Sequence, residues 1–267
     1  MSKDVPAVST AVRILERLGA DWPATMSPGR LVRDLELNRS TCYNILATLQ
    51  RSGWAATVGG RAGWTLGPRL LVLAGASQTL ITKVVQEEID ELSRQLGFVV
   101  FAAERDGSGG YTVVTKADHQ NGVRVTVGIG DRFPFSAPAL MQAFHAWTDP
   151  DEFEHMLDRQ PLERFTKHTV TDATELRKVL AEVRRDGFSR SILQFDMGQG
   201  ATAAAIFDAN CRPSFALCTL AFSSHLNESN VEAVGTQIKA AAERVTRRSG
   251  GQLPPDYGPG GLVRGTA

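Results

Sequence analysis

The sequence has little cysteine and no long apolar run, and both absences limit what the protein can be. Only three cysteines occur in 267 residues, Cys42, Cys211 and Cys218. None belongs to a C-x-x-C pair, which argues against a disulfide framework and a structural zinc site. No apolar run approaches the roughly 20 residues that span a bilayer, and the first residues lack the apolar core of a signal peptide. We therefore expect a cytoplasmic protein with no membrane partner.

The chain also has no net charge, but its charges are unevenly distributed. Residues 1–78 contain nine Lys and Arg against five Asp and Glu, and the remainder has an acidic excess of the same size. A basic module on an acidic body is expected when one end of a protein meets a polyanion. The five histidines show no ligand spacing, so we expect neither a metal site nor another cofactor.

Residues 1–67 are predicted to form three helices and a two-stranded wing. Apolar residues at helical spacing predict a helix over 6–20. Ser27 followed by Pro28 predicts the start of a short second helix, and Asn38 is a good N-cap for a third. Two short β-like runs around a glycine-rich turn then indicate a hairpin. The apolar stripe of the third helix consists of Cys42, Ile45, Leu46 and Leu49.

This order is typical of a winged helix-turn-helix, whose recognition helix lies in the DNA major groove. Short or forked polar side chains read the base edges there. The alternative is a polar helix cap on an ordinary surface, and Tyr43 could instead pack against Trp54 or the wing. The predicted DNA-binding residues are Arg30, Asn38, Arg39, Ser40, Thr41, Tyr43, Asn44 and Arg61.

The rest of the chain predicts strands, then helices, then strands and a final helix, which indicates an α+β fold on an antiparallel sheet. One of the predicted strands covers 122–130. Glycine and proline dominate the last residues, which favours disorder. We therefore predict a DNA-binding domain over 1–67, a helical linker and start of the second domain over 68–96, a second domain over 97–248 and a disordered tail over 249–267.

Several stretches resemble the IclR-type bacterial transcriptional regulators, among them "AVSTAVRILERL", "LNRSTCYNILATLQRSGW", "GWTLGPRLLVLA" and "AAAIFDANCRPSFALCTLAF". The resemblance implies a GAF-like α/β effector-binding domain behind the winged helix-turn-helix. It also implies a homo-oligomer, either a dimer through the DNA-binding domains or a dimer of dimers. One departure is Asn44, which stands where the family usually has a basic residue. Because Asn pairs well with adenine, the preferred operator should differ.

The resemblance also places an effector pocket in the second domain. An apolar cup with a few polar groups suits a small organic ligand, and we favour an aromatic acid or its derivative. The alternative is that these residues fill the sheet core. Cys218 could be imagined as a nucleophile near His225, but a cysteine within "FALCTLAF" is expected to be a small buried apolar residue. The predicted effector-binding residues are Phe135, Ser136, Ala137, Ser191, Met197, Ala201, Cys218 and Leu220.

The sequence thus predicts a ligand-responsive transcriptional regulator and not an enzyme. We expect it to bind double-stranded operator DNA and to repress a local catabolic operon until a small-molecule effector releases it. Three alternatives stay open. The protein could be an activator of the same kind, an enzyme with an accessory helical domain, or an architectural protein that binds DNA without sequence preference.

Overall fold

The computed structural model describes residues 5–20, 24–58, 63–107, 109–119 and 124–258, with the backbone alone for 71–80. The chain divides into two units, Met1–Thr79 and Leu80–Ala267. The division falls inside a long helix, within the segment that was predicted as a linker.

Among the described residues, the first unit contains three complete helices, a two-stranded sheet and the first part of a fourth helix. Ser27 and Asn38 cap the second and third helices, since their side chains accept hydrogen bonds from the backbone N–H groups of Arg30 and Ser40. The buried face of the third helix consists of Cys42, Leu46 and Leu49, which agrees with the predicted apolar stripe. The elements are α1 (Pro6–Ala20), α2 (Pro28–Asp34), α3 (Arg39–Arg51), β1 (Ala55–Val58) and β2 (Gly63–Leu66).

The second unit is built on a six-stranded antiparallel sheet with the strand order β5-β4-β3-β8-β7-β6. The longest pairing joins β7 and β8, and β3 connects this pair to β4 on its other side. The strands are β3 (Val99–Arg105), β4 (Tyr111–Ala117), β5 (Arg132–Phe133), β6 (Ser189–Ile192), β7 (Gln199–Phe207) and β8 (Pro213–Phe222).

Helices cover both faces of this sheet, because successive strand residues point to opposite sides. On one face the second half of α4 and α8 bury Ile89 and Ile238 against β-strand residues such as Ile206. On the other face α5 and α7 pack on Phe101 and its neighbours. The helices are α4 (Arg69–Leu96), α5 (Pro138–His145), α6 (Pro150–Arg159), α7 (Ala173–Asp186) and α8 (Val231–Arg248).

The predicted strand over 122–130 is wrong for its described part, because residues 124–130 are irregular. Asp131 accepts a hydrogen bond from the backbone N–H of Gly128 at 2.6 Å. Gly130 has a φ of 89°, a conformation that favours glycine. After this tight turn, β5 pairs with β4 over two residues, and Gly130 and Asp131 add backbone hydrogen bonds to Val113.

The predicted disorder from residue 249 is also wrong for residues 249–258. The Tyr257 ring stacks on Trp147 with a centroid distance of 5.6 Å. Gln252 and Gly258 donate backbone hydrogen bonds to the carbonyl groups of Asp208 and Arg184, each at 3.0 Å. The Tyr257 ring therefore anchors residues 249–258, although their composition favours disorder. Residues 259–267 lie outside the described part of the chain.

Candidate DNA-binding surface and ligand cavity

The first turns of α3 present a polar surface opposite the buried stripe. The side chains of Arg39, Thr41 and Asn44 are exposed, and none of the three makes a hydrogen bond with another described residue. Tyr43 is 44% exposed, so it does not pack into the core behind the wing. These four side chains are available to a partner on the outer face of α3.

Asn38 and Ser40 have a different role at the start of the helix. The Asn38 side-chain oxygen accepts from the Ser40 backbone N–H at 3.0 Å and from the Ser40 hydroxyl at 2.8 Å. This arrangement satisfies one of the free N–H groups at the helix N-terminus. Both side chains are exposed, but their orientation is fixed by the cap.

Arg30 lies on α2, where its Nε is 3.6 Å from the Asp34 carboxylate. Arg17 of α1 also pairs with Asp34, at 2.9 Å. Arg30, the predicted phosphate contact, therefore shares the Asp34 carboxylate with Arg17. Arg61 of the predicted wing tip lies outside the described residues.

The second unit contains a cavity of about 410 Å³. Its floor is one face of the sheet, where the strand register places Ser191 opposite Ala201, and Ala201 opposite Leu220. Phe101 is opposite Cys218 on the neighbouring strand pair. The small side chain of Ala201 leaves room above the sheet, and larger apolar residues form the walls.

Three phenylalanines give the cavity an aromatic wall. Phe101 and Phe133 stack with a centroid distance of 5.8 Å and an angle of 11° between their planes. Phe195 meets Phe133 edge-on at 6.0 Å. All three line the cavity, and flat apolar surfaces of this kind favour a planar ligand.

The polar groups of the cavity include hydrogen-bond donors without acceptors. The Ser191 hydroxyl is buried and has no partner among the described residues. Ala139 and Leu140 lie in the first turn of α5, where no side chain caps the helix. Their backbone N–H groups likewise have no acceptor in the part of the chain that the structure describes. Such a helix N-terminus favours an anion.

Arg132 lies at the edge of the cavity and is held by Asp106. The guanidinium Nε and Nη2 donate to one carboxylate oxygen of Asp106, at 3.1 and 2.7 Å. Arg132 and Phe133 also line a second, more polar cavity of about 350 Å³. The positive charge of Arg132 is therefore already neutralised by the Asp106 carboxylate.

Cys218 lacks the surroundings of a nucleophile. Burial raises the pKa of its thiol, whereas a reactive cysteine needs a lowered pKa and a base within reach. Its Sγ contacts the backbone oxygen of Thr219 at 3.7 Å, while the His225 ring bonds to Ser224. Cys218 therefore serves as a small apolar lining residue, as the sequence predicts.

The cavity brings together five of the eight predicted effector-binding residues: Ala137, Ser191, Ala201, Cys218 and Leu220. The other three lie elsewhere. Phe135 and Ser136 border the second, more polar cavity. Met197 is 50% exposed in the turn between β6 and β7, so the prediction that it forms part of an apolar wall does not agree with its position.

Sequence reasoning missed the aromatic wall and the free donors of α5. Phe133 lies in β5, which is only two residues long, and Phe195 lies just after β6, so no periodic pattern marks an inward direction for either residue. Phe101 lies on the same face of β3 as Val99 and Ala103, but all five residues of Val99–Ala103 are buried, so the apolar run does not show which face meets the cavity. The N–H groups of α5 belong to the backbone and leave no trace in side-chain patterns.

Two negative findings apply to the described residues. No helix among them combines the length and the apolar character needed to cross a membrane. Within the same residues, no group of three His, Cys, Asp or Glu side chains is arranged to hold a metal ion.

A winged helix-turn-helix followed by an α/β domain with an internal cavity defines a class of protein, the transcriptional regulators that bind DNA through one domain. Comparison with known families identifies the group within this class. Residues 7–59 match the IclR helix-turn-helix domain, and residues 74–247 match the bacterial transcriptional regulator IclR C-terminal domain. The chain therefore belongs to the IclR family of transcriptional regulators, and it is not an enzyme.

Individual relatives agree with this assignment. The chain is 24% identical over 251 residues to the transcriptional repressor IclR of Escherichia coli, which covers 92% of this chain and 91% of that protein. It is also 27% identical over 186 residues to the regulator Rv1719 of Mycobacterium tuberculosis, covering 70% and 71%. A putative IclR regulator from a Silicibacter species superimposes with a TM-score of 0.62 at 26% identity, covering 94% of this chain and 99% of that one.

Proposed function

We propose that this regulator is a repressor whose hold on operator DNA is released by a small organic acid with an aromatic body. The repressor assignment is supported by relatives named as repressors, including the acetate operon repressor of Salmonella typhimurium, 24% identical over 251 residues. A protein that acts on operator DNA works in the bacterial cytoplasm.

The observation that carries the ligand proposal is the set of unpaired donors inside an aromatic cavity. Ser191, with its unpaired buried hydroxyl, and Ala139 and Leu140, with their unpaired backbone N–H groups, all line this space. Leaving buried donors unpaired costs about 1–3 kcal/mol each, and a carboxylate would satisfy them together. The body of the ligand would then lie against Phe101 and Phe133, with Cys218 and Leu220 beneath it.

The DNA-binding proposal rests on the outer face of α3. In this proposal, base edges or adjacent phosphates are contacted by Arg39, Thr41, Tyr43 and Asn44. The cap formed by Asn38 and Ser40 holds the N-terminus of α3 toward the DNA backbone. Arg30 and the wing residue Arg61 contact phosphates. In this arrangement Asn44 gives base specificity and the arginines give affinity.

We further propose that the protein acts as a homodimer or as a dimer of dimers. Val8 and Val12 of α1, together with Val5 directly before it, form an apolar stripe and are 60%, 48% and 61% exposed. Two copies of this stripe can cover each other about a twofold axis. Val8→Glu should lower dimer formation in sedimentation velocity and weaken operator binding.

The operator proposal is tested by a gel shift with the promoter DNA next to the gene. Specific, salt-sensitive binding supports it. Equal affinity for unrelated DNA of the same length would favour the architectural alternative, and the absence of any binding would refute the regulator role at this promoter.

The ligand proposal is tested by calorimetry with three probes: benzoate, benzyl alcohol and cyclohexanecarboxylate. Benzoate should bind most tightly, since it alone combines the flat ring with the anion. Ser191→Ala should weaken benzoate binding roughly tenfold, the loss expected for a hydrogen bond to a charged group. Ser214→Ala is the control, because its hydroxyl bonds to the Ile206 carbonyl oxygen at 3.2 Å and does not line the cavity.

The sign of regulation is tested by a reporter fused to the same promoter. Deletion of the regulator gene should raise expression without ligand, and benzoate should raise it only when the regulator is present. Expression that falls on deletion would instead identify an activator.

A further inference from the structure

A smaller cavity of about 160 Å³ lies among α5, α6, α7 and the loop that follows α5. It shares no lining residue with the larger cavity. Its apolar surface comes mainly from Phe153 and Leu180, and its polar lining includes His145, Thr148 and Arg184. The ligand proposed for the larger cavity gives this smaller cavity no role.

His145 is the unexplained group at this cavity. The side chain is 1% exposed, and its Nε2 has no hydrogen-bond partner among the described residues. Its Nδ1 lies 3.2 Å from the Thr148 hydroxyl. The ring is held between Phe153, at a centroid distance of 5.2 Å, and Phe135, at 5.3 Å. A buried ring nitrogen that has no hydrogen-bond partner, on a ring that packs against two aromatic side chains, is a group that a ligand can satisfy.

The charged residues around the cavity already have partners. Arg177 pairs with Glu154. Arg184 donates to the backbone oxygen of Ala146 and, at 3.3 Å, to that of Thr148. Burial, and then the positive charge of Arg105, lower the pKa of His145 to about 3, so the imidazole is neutral near pH 7. The remaining polar atom is therefore uncharged, which favours an uncharged ligand.

Two physical constraints define the chemistry of that ligand. An apolar cavity of about 150 Å³ accommodates a benzene ring, so the space suits a single ring or a short alkyl body. A hydroxyl group can both donate and accept a hydrogen bond. It therefore satisfies Nε2 of His145 in either tautomer, which a carbonyl or an amine does less well.

We propose that this cavity is a second ligand site, for a small uncharged molecule with an apolar body and one hydroxyl group that hydrogen-bonds to Nε2 of His145. Helix α5 borders both cavities, since Ala139 and Leu140 line the larger one and His145 lines the smaller one. The site does not depend on the proposed ligand of the larger cavity.

The test uses phenol as the probe and the full-length chain, with imidazole ¹⁵N NMR and calorimetry. Saturable binding should shift the Nε2 resonance of His145. His145→Phe keeps an aromatic ring between Phe135 and Phe153 but removes the nitrogen, and it should weaken phenol binding about tenfold or more. Ser191→Ala in the larger cavity should leave phenol affinity within about twofold of wild type.

Three results would overturn the proposal. The His145 resonance could stay unchanged at saturating phenol, which would mean that water alone fills the cavity. His145→Phe could bind phenol as tightly as wild type, or Ser191→Ala could be the variant that loses binding, which would assign phenol to the larger cavity. The NMR measurement on the wild-type chain decides the matter even if His145→Phe fails to fold.

Discussion

Asn44 is the residue from which a sequence preference should come. Its amide is exposed on α3 and bonds to no described residue, and a bidentate contact with adenine discriminates against other bases by about 1–3 kcal/mol. Asn44→Ala should therefore lose affinity mainly at one base position of the operator. Fluorescence anisotropy on a set of single-base operator variants measures this pattern.

The control for this substitution is Gln50→Ala on the same helix. Gln50 lies nearer the C-terminus of α3 and bonds to Thr57 of β1 at 3.3 Å, so it should not change base preference. An equal loss on every operator variant for Asn44→Ala would show that the residue contributes only to nonspecific binding.

His145 should make the stability of the second unit depend on pH. Its pKa is about 3 in the folded chain and about 6.5 when unfolded. Between these values the unfolded state binds a proton that the folded state does not. Unfolding free energy should thus fall with falling pH, by at most about 1.4 kcal/mol per unit. The charged groups nearby are Arg105, Arg184 and the pair of Arg177 with Glu154.

Urea unfolding at a series of pH values from about 7 down to about 4.5 measures this dependence. His145→Phe should flatten the slope, because it removes the group whose pKa burial lowers. An unaltered slope in His145→Phe would mean that other groups cause the acid sensitivity.

At the residue scale, the cavity residues that the family resemblance implied agree best with the structure on regular strands. Ser191, Ala201, Cys218 and Leu220 all lie on strands, and all four line the cavity. Met197 lies in a turn, where alternation gives no information about direction. The same limit applies to Phe195.

At the scale of elements, the last described segment should contribute to stability. Tyr257 stacks on Trp147 and meets Phe207 edge-on with a centroid distance of 5.6 Å. Removing a half-buried ring should lower the unfolding free energy by about 2 kcal/mol. Tyr257→Ala should show this loss in urea unfolding followed by tryptophan fluorescence.

Tyr257→Phe is the matched control, because it keeps the ring and should stay within about 0.5 kcal/mol of wild type. If Tyr257→Ala were as stable as wild type, residues 249–258 would be shown to contribute nothing to the fold.

The elements that could be predicted are those with local signals. Ser27, which precedes Pro28, is the N-cap of α2, and Asn38 is the N-cap of α3. Each helix begins directly after its cap. In contrast, the β-branched residues of 124–130 predict a strand, but the turn around Asp131 depends on a side-chain contact that alternation does not reveal. The anchoring of Tyr257 depends on Trp147, which is distant in sequence.

At the scale of the whole molecule, the net charge is zero because a basic excess in the first unit equals an acidic excess in the second. The sequence predicts this division because charge and composition differ along the chain. It does not predict the cavity volume or the free donors of α5, since both arise from the packing of segments far apart in sequence. The proposed regulation requires that events in one unit alter binding in the other.

That requirement gives a quantitative prediction. If benzoate lowers operator affinity by some factor, operator DNA must lower benzoate affinity by the same factor, because the coupling free energy is shared by both ligands. Coupling of about 1–3 kcal/mol, or roughly 5- to 150-fold, is typical. Anisotropy with and without saturating benzoate gives one factor, and calorimetry with and without operator gives the other.

The control is a DNA duplex of the same length without the operator, which should not change benzoate affinity at concentrations that leave it unbound. Both measurements must use one buffer, since protein–DNA affinity depends steeply on salt. Equal factors above one would identify benzoate as a releasing effector that discriminates between two states of the chain. Factors of one in both directions would mean that benzoate binds without regulating, and the repressor-release mechanism would then fail for this ligand even though the cavity binds it.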